Sequence, residues 1–262
     1  MVGAPTDVNS SFLRGPAEAP AHIRAALRSD AGNASTEFGF EIGAEIALED
    51  HGDLALVEGD ADHAMIAEAV RAAAASGAVP ITLGGDHAVS WPAVEGIAAA
   101  HGPVEILHFD AHPDIYEDFD ANPRSHASPF ARILERGLAK RLVQVGIRTL
   151  NKHCREQAER YGVEIVAMAG FEPGAVPQLG APLYVSIDLD GLDPAYAPGV
   201  SHHEPGGLSV RQALDVLHAQ HARLVGADVV ELNPRRDING MTATVAAKLV
   251  KELAGLAHRN GA

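Results

Sequence analysis

Val104-Glu105-Ile106-Leu107-His108-Phe109-Asp110-Ala111-His112-Pro113-Asp114 joins a largely apolar run of strand length to three ligand-type side chains, Asp110, His112 and Asp114, spaced by two. A short apolar run that ends in turn residues reads as a strand buried on both faces, the signature of a parallel sheet covered by helices. Comparable runs lie at residues 78–83, 141–147, 183–187 and 224–230, and Val2-Gly3-Ala4 reads as a clipped first strand before the polar Pro5-Thr6-Asp7 turn. Between them, stretches of helical period cover residues 20–28, with Pro20 at the start, and 62–76, 88–100, 128–136, 210–219 and 242–258. Strands alternating with helices predict a three-layer α/β/α fold with a mainly parallel central sheet, in one domain spanning residues 1–262. No internal repeat or flexible linker divides the chain, and 262 residues suffice for one large core.

Four polar clusters follow four of those strands: Gly84-Gly85-Asp86-His87, Asp110 to Asp114, Asp188-Leu189-Asp190 and Glu231-Leu232-Asn233-Pro234. In an open parallel sheet the carboxyl ends of the strands open on one edge, so clusters remote in sequence meet in one cleft. Residues at i and i+2 of extended backbone point to the same side, which applies to Asp110, His112 and Asp114 and to Asp188 and Asp190. Gathering so many carboxylates beside an apolar sheet costs several kcal/mol per uncompensated charge, and no Lys or Arg lies within these clusters. His87, Asp110, His112, Asp114, Asp188 and Asp190 offer too many donors for one tetrahedral zinc and suit two divalent ions, Mn2+ first, with Ni2+, Co2+ or Zn2+ as substitutes. Two such ions lower the pKa of a shared water enough to supply a nucleophile near neutral pH. Attack on an sp² carbon then needs a proton for the departing amine, for which His126 is the candidate shuttle, while Glu231 is suited to grip a planar cation.

The charge balance agrees with a small cationic ligand. Lys plus Arg number 20 against 35 Asp plus Glu, a formal charge of -15 that repels phosphate backbones and excludes nucleic acid or an anionic membrane as the natural partner. Cys154 is the only cysteine, so no intrachain disulfide exists. The apolar stretches are broken by Gly, Pro or charge short of the ~20 residues a span requires. With no leader visible after Met1, the expected location is the cytoplasm.

Taken together, Asn9-Ser10-Ser11-Phe12-Leu13 with Gly15-Pro16, Gly84 to His87, Asp110-Ala111-His112-Pro113-Asp114-Ile115-Tyr116, Ser125-His126-Ala127-Ser128, Gly146-Ile147-Arg148 and Asp188-Leu189-Asp190 resemble the ureohydrolases, the arginase and agmatinase family. The resemblance runs almost end to end. It implies a binuclear manganese site on His87, Asp110, His112, Asp114, Asp188 and Asp190, and a proton-shuttling His126. It further implies a guanidinium-binding Glu231 and hydrolysis of agmatine or L-arginine to urea and an amine. A homotrimer or homohexamer is implied too. Gly199 to Gly207 looks most like the plant-type arginases. Tyr116 is also similar to agmatinases, and Arg124 stands where the plant-type pattern usually has Tyr, so Tyr116 and Arg124 are the candidate outer substrate contacts. Other guanidino or formimino substrates, a one-zinc deacetylase-like hydrolase and a catalytically silent ligand-binding subunit are the competing readings. His87 counts against the deacetylase and the complete ligand set against the silent subunit. Taken singly, Asp86 and Asp193 read as capping groups, and His101, His108, His202 and His203 as structural or solvent-facing residues.

Overall fold

The computed structural model describes residues 1–261; Ala262, the last residue of the expected domain, lies outside the described residues. Seven strands form one sheet: β1 (Val2–Ala4), β2 (Ile81–Gly84), β3 (Val104–Phe109), β4 (Ala139–Ile147), β5 (Glu164–Ala167), β6 (Leu183–Asp188) and β7 (Leu224–Val230). Every pairing is parallel, in the order β1-β2-β7-β6-β3-β4-β5. The helices are α1 (Ala19–Leu27), α2 (Ala61–Ala75), α3 (Ser90–His101), α4 (Pro129–Glu135), α5 (Lys152–Tyr161), α6 (Val210–Ala219) and α7 (Met241–Arg259).

Alternation along the strands divides the core into two faces. Leu107, Val143, Val185 and Ala227 join Ile23 of α1, Leu214 and Leu217 of α6 and Leu253 of α7 in one apolar cluster. Their neighbours Ile106, Leu142, Tyr184 and Val225 join Val70 of α2, Ile97 of α3, Phe130 of α4 and Cys154 of α5 in the other. A sheet buried on both faces requires continuous apolar strands, and β3, β6 and β7 are buried or nearly so at every position. The three-layer expectation is met.

Two local differences have plain causes. β5 was not expected: it is a four-residue edge strand with both ends exposed, so its sequence carries little of the apolar run that marks the central strands. β2 begins at Ile81, three residues after the expected start, because the preceding residue is Pro80, which has no N–H for the ladder and contributes only its carbonyl, accepting from Ala227 N. No helix among the described residues is long and apolar enough to cross a membrane.

The turn after β2 depends on a missing side chain. A Cβ on Gly85 would lie 1.7 Å from the Thr6 carbonyl oxygen, so only glycine lets the chain after β1 run alongside this turn. Gly85 N and Asp86 N donate to Ala4 O and Thr6 O at 3.1 and 3.0 Å, fixing that N-terminal segment against the sheet edge.

Candidate active site

The four strands that carry the polar clusters, β2, β7, β6 and β3, are consecutive in the sheet. Their carboxyl ends bring His87, Glu231, Asp188, Asp190, Asp110, His112 and Asp114 to one edge, as the topology argument required. His87 Nδ1 lies 3.2 Å from Asp110 Oδ2, 3.0 Å from Asp114 Oδ2 and 3.0 Å from Asp188 Oδ2. His112 Nδ1 lies 3.1 Å from Asp190 Oδ2 and 3.4 Å from Asp110 Oδ1. These are two of three overlapping donor groups, each compact enough for one cation; the third is His87, His108 and Asp110, and Asp110 belongs to all three. Local backbone serves the arrangement: Asp114 adopts φ 48° and Glu231 φ 64°, left-handed conformations that cost a non-glycine residue roughly 1–2 kcal/mol.

Hydrogen bonds behind the cluster decide which way the lone pairs point. Ser186 donates its hydroxyl proton to Asp228 Oδ1 at 2.7 Å, so at 3.0 Å from His87 Nε2 its oxygen must accept. That places a proton on Nε2 and leaves Nδ1, which has no hydrogen-bond partner among the described residues, facing three carboxylates. Those anions call for positive charge at Nδ1, either a second proton, which, against burial, they favour by raising the His87 pKa, or a metal cation, and the mixed imidazole and carboxylate set suits divalent transition metals. The residues present therefore fit the binuclear centre.

No Lys or Arg pairs with Asp110, Asp114, Asp188 or Asp190 among the described residues. Burial, then repulsion from Asp190 and Asp110, pushes the Asp188 carboxyl well above its ordinary range. Burial raises Asp190 to about 6 against the attraction of His112. For Asp110, burial is overcome by its contacts with His108 and His112, the hydrogen bond from His108 first, which hold it well below the usual carboxylate range.

Beside the cluster, His126 Nδ1 lies 2.8 Å from Glu231 Oε1, and the same oxygen accepts from His87 N at 2.9 Å. Burial would lower the His126 pKa, but the Glu231 charge and hydrogen bond prevail and raise it to about 9. Asp86 is fully buried next to this pair; desolvation and then Glu231 lift it to about 7. Its Oδ1 accepts from Ala88 N at 3.1 Å, the capping role expected of it.

The two outer candidates stand apart from the cluster. Arg124 Nη1 pairs with the exposed Asp60 Oδ1 at 2.6 Å. The Tyr116 hydroxyl accepts from Asn151 Nδ2, and its ring stacks on His153. Two histidines read from sequence as structural or solvent-facing lie at the site. His108 is fully buried; Gln144 donates to its Nδ1 at 3.0 Å, so its Nε2–H donates to Asp110 Oδ2 at 2.9 Å and orients that carboxylate. The signal was the spacing of two that His108 shares with Asp110 and His112. His202 has its ring centroid 5.3 Å from that of His126 and 5.8 Å from that of His112.

Comparison with known proteins agrees with this geometry. The model of the arginase family matches residues 1–255. The chain is 50% identical to Arginase 1, mitochondrial, of Arabidopsis thaliana, over 97% of this chain and 79% of that one. It is 35% identical to Agmatinase, mitochondrial, of Gallus gallus, again over 97% and 79%. The solved arginase from Medicago truncatula superposes with a TM-score of 0.94 at 45% identity, covering 98% of this chain and 86% of that one. The names of both relatives overturn the cytoplasmic expectation, since each is a mitochondrial protein. That expectation rested on where the sequence begins, which carries no information about a leader. By family model, relatives and fold, the chain belongs to the arginase family and is a hydrolase of guanidino compounds.

Proposed function

We propose that the chain hydrolyses L-arginine to urea and ornithine at a two-manganese centre held by His87, Asp110, His112, Asp114, Asp188 and Asp190. The observation that carries this reading is the shared position of Asp110, whose two oxygens face both donor groups. Divalent ions bound there supply a Lewis acid that lowers the pKa of water toward neutrality. Arginine is favoured over agmatine because the plant arginase relative is 50% identical and the agmatinase relative 35%.

The chain's own groups divide the remaining work. Glu231 uses Oε1 for His126 and His87, and its Oε2, without a hydrogen-bond partner among the described residues, is available to a guanidinium N–H. Nδ1 of His126 is committed to Glu231, so Nε2 is the atom that holds and passes the proton needed by the departing amine. Asp114 orients the centre through its contact with His87. Water adds to the guanidino carbon, the bond from that carbon to the substrate's chain nitrogen breaks, and the nitrogen leaves with the proton from His126. Tyr116 and Arg124 form the outer contacts, Arg124 by exchanging the exposed Asp60 for a substrate carboxylate. The chain works as one domain, in a trimer or hexamer that light scattering would measure.

Urea release by the Mn2+-loaded protein tests the assignment. L-Arginine is expected to turn over with a kcat/KM at least about tenfold above that of agmatine, and the reverse order would transfer the reading to agmatine. Arg124→Ala is expected to raise KM for arginine about tenfold and leave agmatine unchanged, since an exposed charge-assisted contact is worth roughly 1.4 kcal/mol.

A further inference from the structure

The Asn9-Ser10-Ser11 segment, conspicuous in the sequence but without a task in the reaction so far, lies on the His126 and Asp86 pair. Asn9 O accepts from His126 N at 3.1 Å, and Asn9 N donates to Asp86 Oδ2 at 2.9 Å. Ser10 Oγ reaches the same Asp86 oxygen at 3.4 Å. Asn122 Nδ2 donates to Asn9 Oδ1 at 3.2 Å, tying the segment to the loop that carries His126. At its far end, Asp7 closes the strap by accepting from Gly15 N at 2.6 Å and Ala17 N at 3.3 Å. The strap is fixed at both ends and lies directly over the imidazole.

Ser11 meets the ring itself. Its N lies 3.1 Å and its Oγ 2.8 Å from His126 Nε2. With Nδ1–H given to Glu231, a neutral ring has only a lone pair at Nε2, which the Ser11 N–H and hydroxyl satisfy as donors. A charged ring has a proton at Nε2. The backbone N–H then opposes it, and the Ser11 hydroxyl oxygen is the nearby atom able to accept. Only a hydroxyl serves both protonation states, because it rotates between donating and accepting.

We propose that Ser11 is a positioning residue for the reaction: its hydroxyl stabilises the protonated Nε2 of His126, while its N–H supports the neutral ring, so the strap sets the shuttle's orientation and acidity. The proposal rests on the reading of His126 as the proton shuttle. The other charged and titratable groups facing His126 come from separate elements: Glu231 after β7, Asp86 after β2, Asp114 after β3 and His202 in the loop after β6. The three carboxylates favour the charged ring and His202 opposes it, leaving the Nε2 hydrogen bond to the strap.

The test compares Ser11→Ala, Ser11→Thr and His126→Ala as metal-loaded enzymes. Ser11 is exposed, so these changes leave the core untouched. The readouts are the pH dependence of kcat and KM, and the His126 pKa from ring NMR of the Zn2+-loaded protein, assigned by the signal absent in His126→Ala. Ser11→Ala is expected to lower the His126 pKa by about one unit, the size of a lost hydrogen bond to a charged group, and to move the kcat profile to lower pH by the same amount. KM stays within about twofold, and Ser11→Thr restores the wild-type profile. An unmoved His126 pKa in Ser11→Ala, or an effect confined to KM, overturns the proposal while an inactive His126→Ala leaves the shuttle standing. Full turnover by His126→Ala instead overturns the shuttle and removes the basis for Ser11 with it.

Discussion

Two buried carboxylate clusters in this molecule solve the same electrostatic problem in opposite ways. On α7, Glu252 is fully buried, and its charge is met within the chain. Lys248 Nζ lies 2.6 Å from Oε1, His218 Nε2 2.9 Å from Oε2, and Glu37 N donates to Oε1 at 2.9 Å. Arg211 and Lys248 then bind Glu37. At the sheet edge, Asp110, Asp114, Asp188 and Asp190 are also buried but meet imidazoles and backbone N–H groups, with no Lys or Arg paired to them among the described residues. The first cluster is complete as folded; the second leaves its counter-charge to be supplied from outside. That difference separates a charged cluster that fastens helices from one whose donor set is suited to cations.

The comparison breaks first at metal removal. Chelation by EDTA at pH 7 is expected to lower the unfolding free energy by roughly 4 kcal/mol for each ion that had been present at a thousandfold its Kd, read as a fall in Tm. If the metal-free protein melts at the same temperature as the loaded one, the sheet-edge carboxylates are balanced without ions. Asp110→Asn should reduce turnover by at least about 100-fold and reduce bound manganese in metal analysis, because one residue faces both donor groups.

Lys248→Met is expected to cost about 2 kcal/mol, less than a fully enclosed pair because the lysine is partly exposed and His218 remains. It should not change kcat or metal content; a loss of either would mean the two clusters are coupled. The smallest effect concerns Glu37, which hydrogen bonds from Arg211, against burial and with help from Lys248, hold down at about 2. Its folded pKa lies below its unfolded value, so its contribution is present above about pH 4.5 and disappears as the pH falls through about 2. Glu37→Gln should therefore lower the unfolding free energy by less than about 1 kcal/mol at pH 7, as for a solvent-screened pair, and by nothing near pH 2 in urea titrations.

Much of this architecture is legible in the sequence because burial on both faces forces the central strands to be apolar, and each run ends abruptly where the polar cluster begins. β3 and β7 have the expected boundaries for that reason. β5 escapes because an edge strand with exposed ends has no such constraint. In the candidate site, spacing by two and the family resemblance pick out the residues that the strands place at one edge. Ser186, Asp228 and Ser11 act through hydrogen bonds between elements far apart in the chain, such as the 115 residues separating Ser11 from His126, so even the Asn9 to Leu13 motif gives no sign of what Ser11 touches. His108 was within reach, since it continues the spacing of Asp110 and His112, but an isolated histidine in an apolar run is more often a packed one.

Strand order also bears on how the molecule assembles. β7 lies between β2 and β6, although it is the last strand of the chain. Until it enters, β1-β2 and β6-β3-β4-β5 have no strand to join them, each exposing an unpaired edge. During synthesis the ribosome must therefore release residues 224–230 before the sheet closes, and such late, long-range pairing makes folding slow and partly made chains prone to aggregate. Nascent chains stopped between residues 189 and 223 would present two half-sheets, each with an unpaired edge where β7 later enters.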